Sequence, residues 1–212
     1  MSASLIESTY RLLEECFPAE ELDEYECFRK DVESGLAIVI LGHHDGEVAG
    51  AAVVYRYLSA YLLGYIAVDP AHRSSGVGSR LLQASIDLAL GDDRVLFTEV
   101  ERPDRHDEHP VFGDPDRRIV FFSEHGSLAL DIPYFQPPLS GETGRRFGMI
   151  LARVDPVDER VMDSAVVRSF LAEYVGGAAD DDDDALLSLR ASLTVPTVRL
   201  LPISDYGSLD AP

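Results

Sequence analysis

Apolar residues along the first half of the chain follow two rhythms, one helical and one extended. Leu5, Ile6, Leu12, Leu13 and Cys16 share a face of a short helix that Pro18 stops. A more polar helix is predicted over Glu20 to Val32, with Gly35 as its C-terminal glycine. Leu36 to Leu41 and Val48 to Tyr57 are apolar runs either side of the turn His44-Asp45-Gly46, and read as a hairpin. Ala60 to Val68 makes a third strand, closed by Asp69-Pro70 because proline has no N–H for a ladder. From Gly76 the spacing turns helical, with Val77, Leu81, Leu82, Ile86, Ala89 and Leu90 on one side as far as Gly91.

Strand character returns over Arg94 to Glu101, centred on Val95-Leu96-Phe97. Asp114 to His125 is predicted as a helix with Asp114 as N-cap and Pro115 in the first helical position, ended by Gly126. Ser127 to Ile132 and Phe147 to Val154 are strand candidates separated by the turn-rich stretch Pro133 to Arg146. Asp155-Pro156 carries a second cap signal, predicting a helix with Val161, Met162, Ala165, Val166, Phe170, Leu171 and Val175 inward, ended by Gly176-Gly177. The run Asp180 to Asp184 reads as a solvated loop that caps a helix over Ala185 to Leu193, and Thr197 to Leu201 is the last strand. No linker or repeat divides the chain, so one unit is expected: a domain over 1–154 with an extension, 155–212, packed on it.

Length and composition allow such a core: 212 residues, 46% of them hydrophobic. No apolar run reaches the roughly 18 residues of a membrane span, and the N-terminus carries no leader pattern, so a cytoplasmic location is expected. Asp and Glu number 38 against 18 Lys and Arg, a net charge of −20, which repels phosphate backbones and anionic lipid. Neither nucleic acid nor membrane is expected as a partner. Lys30 is the sole lysine. Abundant aspartate with arginine in place of lysine fits a protein kept soluble in high salt; biased base composition would explain the missing lysine but not the acidity. Cys16 and Cys27 stand apart from any Cys/His cluster, and the segment Glu101 to His109, with His106 and His109, is too irregular for a ligand set. No metal is expected.

The segment that carries chemistry is Tyr65-Ile-Ala-Val-Asp-Pro-Ala-His-Arg-Ser-Ser-Gly-Val-Gly-Ser-Arg-Leu-Leu82. A helix N-terminus leaves N–H groups unpaired and carries partial positive charge, so it can hold a phosphate or diphosphate. Gly76 and Gly78 clear the approach, Ser74, Ser75 and Ser79 offer hydroxyls, and Arg73 or Arg80 supplies charge. The pattern is neither a Walker loop nor a dinucleotide fingerprint. By itself, a two-glycine turn before a helix is more often structural than functional.

Arg73-Ser-Ser-Gly76-Val-Gly78, after a strand ending Val68-Asp69-Pro70 and before Leu81-Leu82, resembles the acetyl-CoA motif of the GNAT acetyltransferase superfamily. The element order from Leu5 to Val154 is similar to that superfamily too, while Asp131 to Pro138 and the tail look like a less studied prokaryotic branch. The resemblance implies an α+β fold whose mixed, mostly antiparallel sheet splays between two central strands, here 60 to 68 and 94 to 101. It implies acetyl-CoA, or another acyl-CoA, as co-substrate. The backbone of Ile66, Ala67 and Val68 would bind pantetheine, and Arg73, Ser74, Ser75, Gly76, Val77, Gly78 and Ser79 would wrap the diphosphate.

The implied reaction is direct attack of an amine on the thioester, with a backbone N–H of strand 60 to 68 on the oxyanion. A base must take the amine's proton. Many members protonate the leaving thiolate with the tyrosine of a Phe-Tyr pair, where this chain has Phe121-Phe122. Glu99 and Glu101 lie two apart on one face of a strand, and Glu99 is a candidate base or amine anchor, the alternative being a polar strand end. Tyr134, in a loop flanked by prolines, is a candidate for the missing hydroxyl, or else an anchor packed under the loop. Ser123 is a weaker candidate, and His125 suits the helix C-terminus.

Three functions follow: N-acetyl transfer to a small amine, a catalytically silent acyl-CoA sensor or scaffold kept open by Phe122, and acylation of a protein. The elaborated tail and proline-rich loop narrow the site and favour a small acceptor over a protein one. A homodimer is compatible with the sequence.

Overall fold

The computed structural model describes residues 1–108, 113–138, 144–175 and 184–209. Helix α1 (Ala3–Cys16) starts at Ser2, whose hydroxyl accepts from the Leu5 N–H, and buries Ile6, Thr9 and Leu13. Helix α2 (Tyr25–Ser34) starts five residues later than its apolar spacing predicts, because a short 3₁₀ turn occupies Ala19–Glu21. It ends at Gly35 in the left-handed region.

Strands β1 (Ala37–His44), β2 (Glu47–Arg56) and β3 (Ala60–Val68) form an antiparallel meander. Helix α3 (Val77–Gly91) then crosses to β4 (Val95–Glu101), which runs parallel to β3. After α4 (Pro115–Glu124) come β5 (Leu128–Leu130), β6 (Met149–Arg153), β7 (Val161–Asp163), α5 (Ser164–Tyr174), α6 (Asp184–Ser192) and β8 (Thr197–Pro202). The strands make one mixed sheet of order β1-β2-β3-β4-β6-β5-β8-β7. This is the splayed α+β fold implied by the resemblance.

One face of the sheet packs against α1, α2, α5 and α6 through Leu13, Phe28, Phe170 and Leu189. The other packs against α3 and α4 through Leu81, Leu82, Ile119 and Phe122. Alternation along β4 divides it accordingly: Phe97 joins the first core, whereas Leu96 and Val100 join the second. Glu99 therefore faces the α1 and α5 side.

The helix predicted from Asp155-Pro156 begins instead at Ser164, with Asp163 as cap accepting from the Ala165 N–H. Val161 to Asp163 is extended because it pairs with Arg199 to Thr197 of β8. Asp155 is buried and its carboxylate accepts from the Leu96 N–H at 3.1 Å and from Arg153. A cap signal was present, but its side chain is committed to β4. Gly176-Gly177, Asp180 to Asp183 and His109 lie outside the described residues.

The feature that positions the site is a parting of β3 from β4. Their ladder covers only Ala60 to Leu63 against Val95 to Thr98. Beyond it β3 stays paired with β2 up to Val68, and β4 stays paired with β6 up to Glu101. A bulge makes the turn: Val53 pairs with Tyr65 and Val54 with Leu63, leaving Gly64 as the extra residue. A Cβ at Gly64 would meet the Tyr55 ring at 2.7 Å, so this bend requires glycine. Thr98 pins the apex by donating its hydroxyl to the Leu63 carbonyl at 3.0 Å.

Candidate active site

Between the parted strands lies a cavity of about 550 Å³. Ile66, Ala67, Val68, Arg73 and Gly78 line one end of it, and Glu99 and Tyr174 lie toward the other. With β4 diverted, the β4-facing edge of residues 64–68 has no strand partner among the described residues, and its main-chain polar groups face the cleft.

The loop before α3 is built by backbone conformation. Ser74 and Gly76 both take positive φ, and Gly76 serves as N-cap without a side-chain hydrogen bond to the first turn. The N–H groups of Val77, Gly78 and Ser79 are thus left for an anion. A Cβ at Gly78 would stand 3.6 Å from Val68 and 3.7 Å from Phe121, ordinary contact, so the protein's own packing does not demand glycine there. The missing side chain leaves open the space between Val68 and Phe121. The other loop residues have separate tasks. Val77 is buried under β1 and β2, where Gly42 and Gly50 make room for it, so only its backbone can serve a ligand. Ser75 donates to the His72 carbonyl, Arg80 bonds back to the Ser75 and His43 carbonyls, and Ser74, Ser79 and Arg73 are exposed. Arg73 also reaches Cys16, whose thiol is pushed up by burial and drawn back by this guanidinium.

At the other end Glu99 is held by three neutral donors. Tyr134 donates to Oε1 at 2.5 Å, and Gln136 and Tyr174 each donate to Oε2 at 2.8 Å. Burial pushes this carboxyl above the usual range, the three hydrogen bonds pull it back, and nearby Asp23 adds to the rise. The same burial and the charge of Glu99 drive the Tyr134 and Tyr174 hydroxyls well up, so both stay protonated and remain donors. Tyr134 is buried behind Glu99 and does not line the cavity, whereas Tyr174 does. The structure therefore brings Glu99 and Tyr134 together as carboxylate and support.

Glu101 has a different environment, buried between Arg118 at 2.5 Å and Arg146 at 2.5 Å, with His106 at 3.4 Å. Arg146 also binds Glu21 at 2.9 Å. This ladder ties the segment after α1, the end of β4, α4 and the strand-like stretch at 146 into one wall. His106 belongs to it as a structural partner. Phe121 and Phe122 line the cavity without a hydroxyl, and His125 bonds the Phe121 carbonyl at the end of α4, as its position suggested. Among the described residues no group of three or more His, Cys, Asp or Glu is arranged to hold a metal ion. No helix among them is long and apolar enough to cross a membrane.

Asp23, Gln136, Tyr174 and the Glu21 ladder were not singled out by sequence reasoning. Tyr174 had a usable signal: it lies four residues after Phe170 on α5, a phenol beside apolar side chains.

Comparison with known proteins places these observations. A model of the acetyltransferase (GNAT) family matches residues 5–112, just over half of the chain. A protein described as a GNAT-family acetyltransferase from Bacteroides thetaiotaomicron has a similar structure, with a TM-score of 0.64 at 26% identity, covering 83% of this chain and 97% of that one. A ribosomal-protein alanine N-acetyltransferase from Escherichia coli shares the fold, with a TM-score of 0.51 at 19% identity over 75% of this chain and 94% of its own. So does an aminoglycoside 6'-N-acetyltransferase complexed with coenzyme A, with a TM-score of 0.52 at 15% identity over 74% and 95% of the two chains. No curated protein matches the sequence.

Proposed function

This chain belongs to the acetyltransferase (GNAT) family, and from that premise we propose that it transfers an acetyl group from acetyl-CoA to the amine of a small acceptor. The observation that carries the reading is the cleft between β3 and β4, which runs from a helix N-terminus without a side-chain cap to the half-buried carboxylate of Glu99. The residues fit the co-substrate. The N–H groups of Val77 to Ser79 suit a diphosphate, with Arg73 and Arg117 adding charge, and the open edge of Ile66 to Val68 suits the amides of pantetheine. Gly78 leaves the room that an anion needs.

Acetyl-CoA supplies an activated thioester. In the transfer a C–N bond forms and the C–S bond breaks. Glu99, its pKa raised by burial, is the group that takes the proton from the acceptor nitrogen, directly or through water. Tyr134, Tyr174 and Gln136 fix that carboxylate in one orientation. Phe122 removes the usual proton donor, but an alkyl thiol titrates near the ~8.5 of cysteine, so the thiolate can leave as the anion and take a proton from solvent. The extension 155–212 belongs to the same unit on this reading, supported by the pairing of β8 with β5 and the reach of Tyr174 to Glu99.

The test is free CoA released from acetyl-CoA across a panel of small amines, with acetyl-CoA affinity measured in parallel. Amine-dependent release above the hydrolysis rate is expected. Acetyl-CoA binding with no such release would contradict transfer.

A further inference from the structure

At the end of the cleft away from α3 the cavity is walled by rings: Phe17, Tyr55, Tyr57, Tyr65 and Tyr174. Phe17 meets Tyr65 at 5.4 Å, Tyr55 meets Tyr65 at 6.4 Å and Tyr57 meets Tyr174 at 5.7 Å between centroids. Three carboxylates line the same chamber: Asp23 from the segment between α1 and α2, Asp31 from α2, and Glu99 from β4. Asp23 accepts from the Tyr55 hydroxyl at 3.2 Å and from the Tyr65 hydroxyl at 3.5 Å. The Tyr57 phenol lines the same cavity as these carboxylates. It is pushed up by burial and then by Glu99, Asp23 and Asp31, with Glu173 adding to the rise.

The arginines that line the cavity are committed elsewhere. Arg118 and Arg146 are bound to Glu101 and Glu21. Arg73 lies beside the α3 loop, and Arg117 lies one helical turn before Phe121, the ring that packs beside Gly78. Arg73 and Arg117, with the helix cap Asp114, thus line the end where a diphosphate would lie, and Asp23, Asp31 and Glu99 line the far end. A carboxylate or phosphate on the acceptor would be repelled there. A lone ammonium at Glu99 would use only part of this negative field. Aromatic faces beside carboxylates are the surroundings in which an organic cation is most favoured. The cavity must also hold the acyl end of the co-substrate, which leaves space for a slender acceptor.

We propose that the acceptor is a linear diamine or polyamine, its reacting nitrogen at Glu99 and a second ammonium held by Asp23 and Asp31 against the tyrosine rings. This rests on the acetyl-transfer reading and names the acceptor of that same site. The diamine enters with both ends protonated, and its reacting end loses two protons, one to solvent as the free amine forms and one to Glu99 as the C–N bond forms and the CoA thiolate leaves, while the distal ammonium keeps its charge. The product carries one positive charge fewer and is held more weakly, which favours its release. Turned end for end, it would present an amide to Asp31, so mono-acetylation is the expected outcome.

The experiment compares putrescine, butylamine and γ-aminobutyrate, alike in chain length and different in the far group, by CoA release and by calorimetric titration. Putrescine is expected to exceed butylamine in kcat/KM by about tenfold, the equivalent of one partly buried charge contact, with γ-aminobutyrate below both. Asp31→Asn, and separately Asp23→Asn, should narrow the putrescine-to-butylamine ratio toward one without changing acetyl-CoA affinity. Butylamine or γ-aminobutyrate matching putrescine, or a ratio unmoved by both substitutions, overturns the proposal. If no amine releases CoA, titration decides separately. Putrescine binding weakened by Asp31→Asn keeps the chamber as a diamine site and removes the transfer reading, whereas no putrescine binding overturns the diamine site itself.

Discussion

Tyr174 donates its phenolic hydrogen to Oε2 of Glu99 at 2.8 Å, joining the end of α5 to the middle of β4 across 75 positions of sequence. A hydrogen bond to the charged form lowers a carboxyl's pKa, so removing it moves the pKa up. If Glu99 must be ionised to accept a proton, the acidic limb of the rate profile follows. Tyr174→Phe should shift that limb upward by about one pH unit, the effect of one charged hydrogen bond, with acetyl-CoA affinity unchanged. A profile superimposed on that of the wild type would show that the contact is structural.

Glu99→Gln tests the base itself. General-base catalysis contributes about 10²- to 10⁴-fold, so kcat for the preferred amine should fall by that order and the acidic limb should vanish. Stability gives an independent reading. Because the folded-state pKa lies above the unfolded one, the folded state binds more protons and stability falls as pH rises from about 4.3 through the folded value. That segment of the pH dependence should be missing from the variant in denaturant titrations.

Gly78 separates binding from folding. It sits in the first turn of α3, where an added methyl would make only ordinary contacts, and alanine is a better helix former than glycine by about 1 kcal/mol. Gly78→Ala should leave the unfolding midpoint unchanged or slightly raised, yet weaken acetyl-CoA by about tenfold or more in calorimetry, as the methyl enters the anion's space. Equal affinity would place the diphosphate elsewhere. At Gly50 the opposite holds: a Cβ would stand 2.7 Å from the Ala67 carbonyl, so a substitution there should act on stability.

Local signals served well where one residue's task is fulfilled by its neighbours. The strand, two-glycine loop and helix from Tyr65 to Leu82 are contiguous, and their spacing predicted what folds there. Asp114-Pro115 likewise caps α4 as its sequence suggests. Asp155-Pro156 carried the same cap signal and misled, because the carboxylate is claimed by the Leu96 N–H and Val161 to Asp163 pair with a strand that begins at Thr197. The site shows the same limit. Glu99 was legible as a carboxylate on a central strand, but its support comes from Tyr134, Gln136 and Tyr174, and no local pattern announces that meeting. Tyr134 could be read as a donor; that it faces Glu99 from behind and not the cavity required the fold.

The net charge of −20 bears on stability apart from catalysis. Screening should relieve self-repulsion, and a relief of about 2 kcal/mol would raise Tm by about 4–8 °C in a chain of this size. Thermal unfolding in dilute and in molar salt checks this, and a midpoint that does not rise would count against a high-salt origin.

Acetyl-CoA in the cleft between β3 and β4, with its thioester toward Glu99, is the premise on which the proposed chemistry depends, and a crystal structure with acetyl-CoA tests it most directly. The diphosphate is expected on the N–H groups of Val77 to Ser79, pantetheine along Ile66 to Val68, and the acetyl group near the Leu63–Thr98 apex. Acetyl-CoA bound outside that cleft, or with its acetyl group turned away from Glu99, would contradict it.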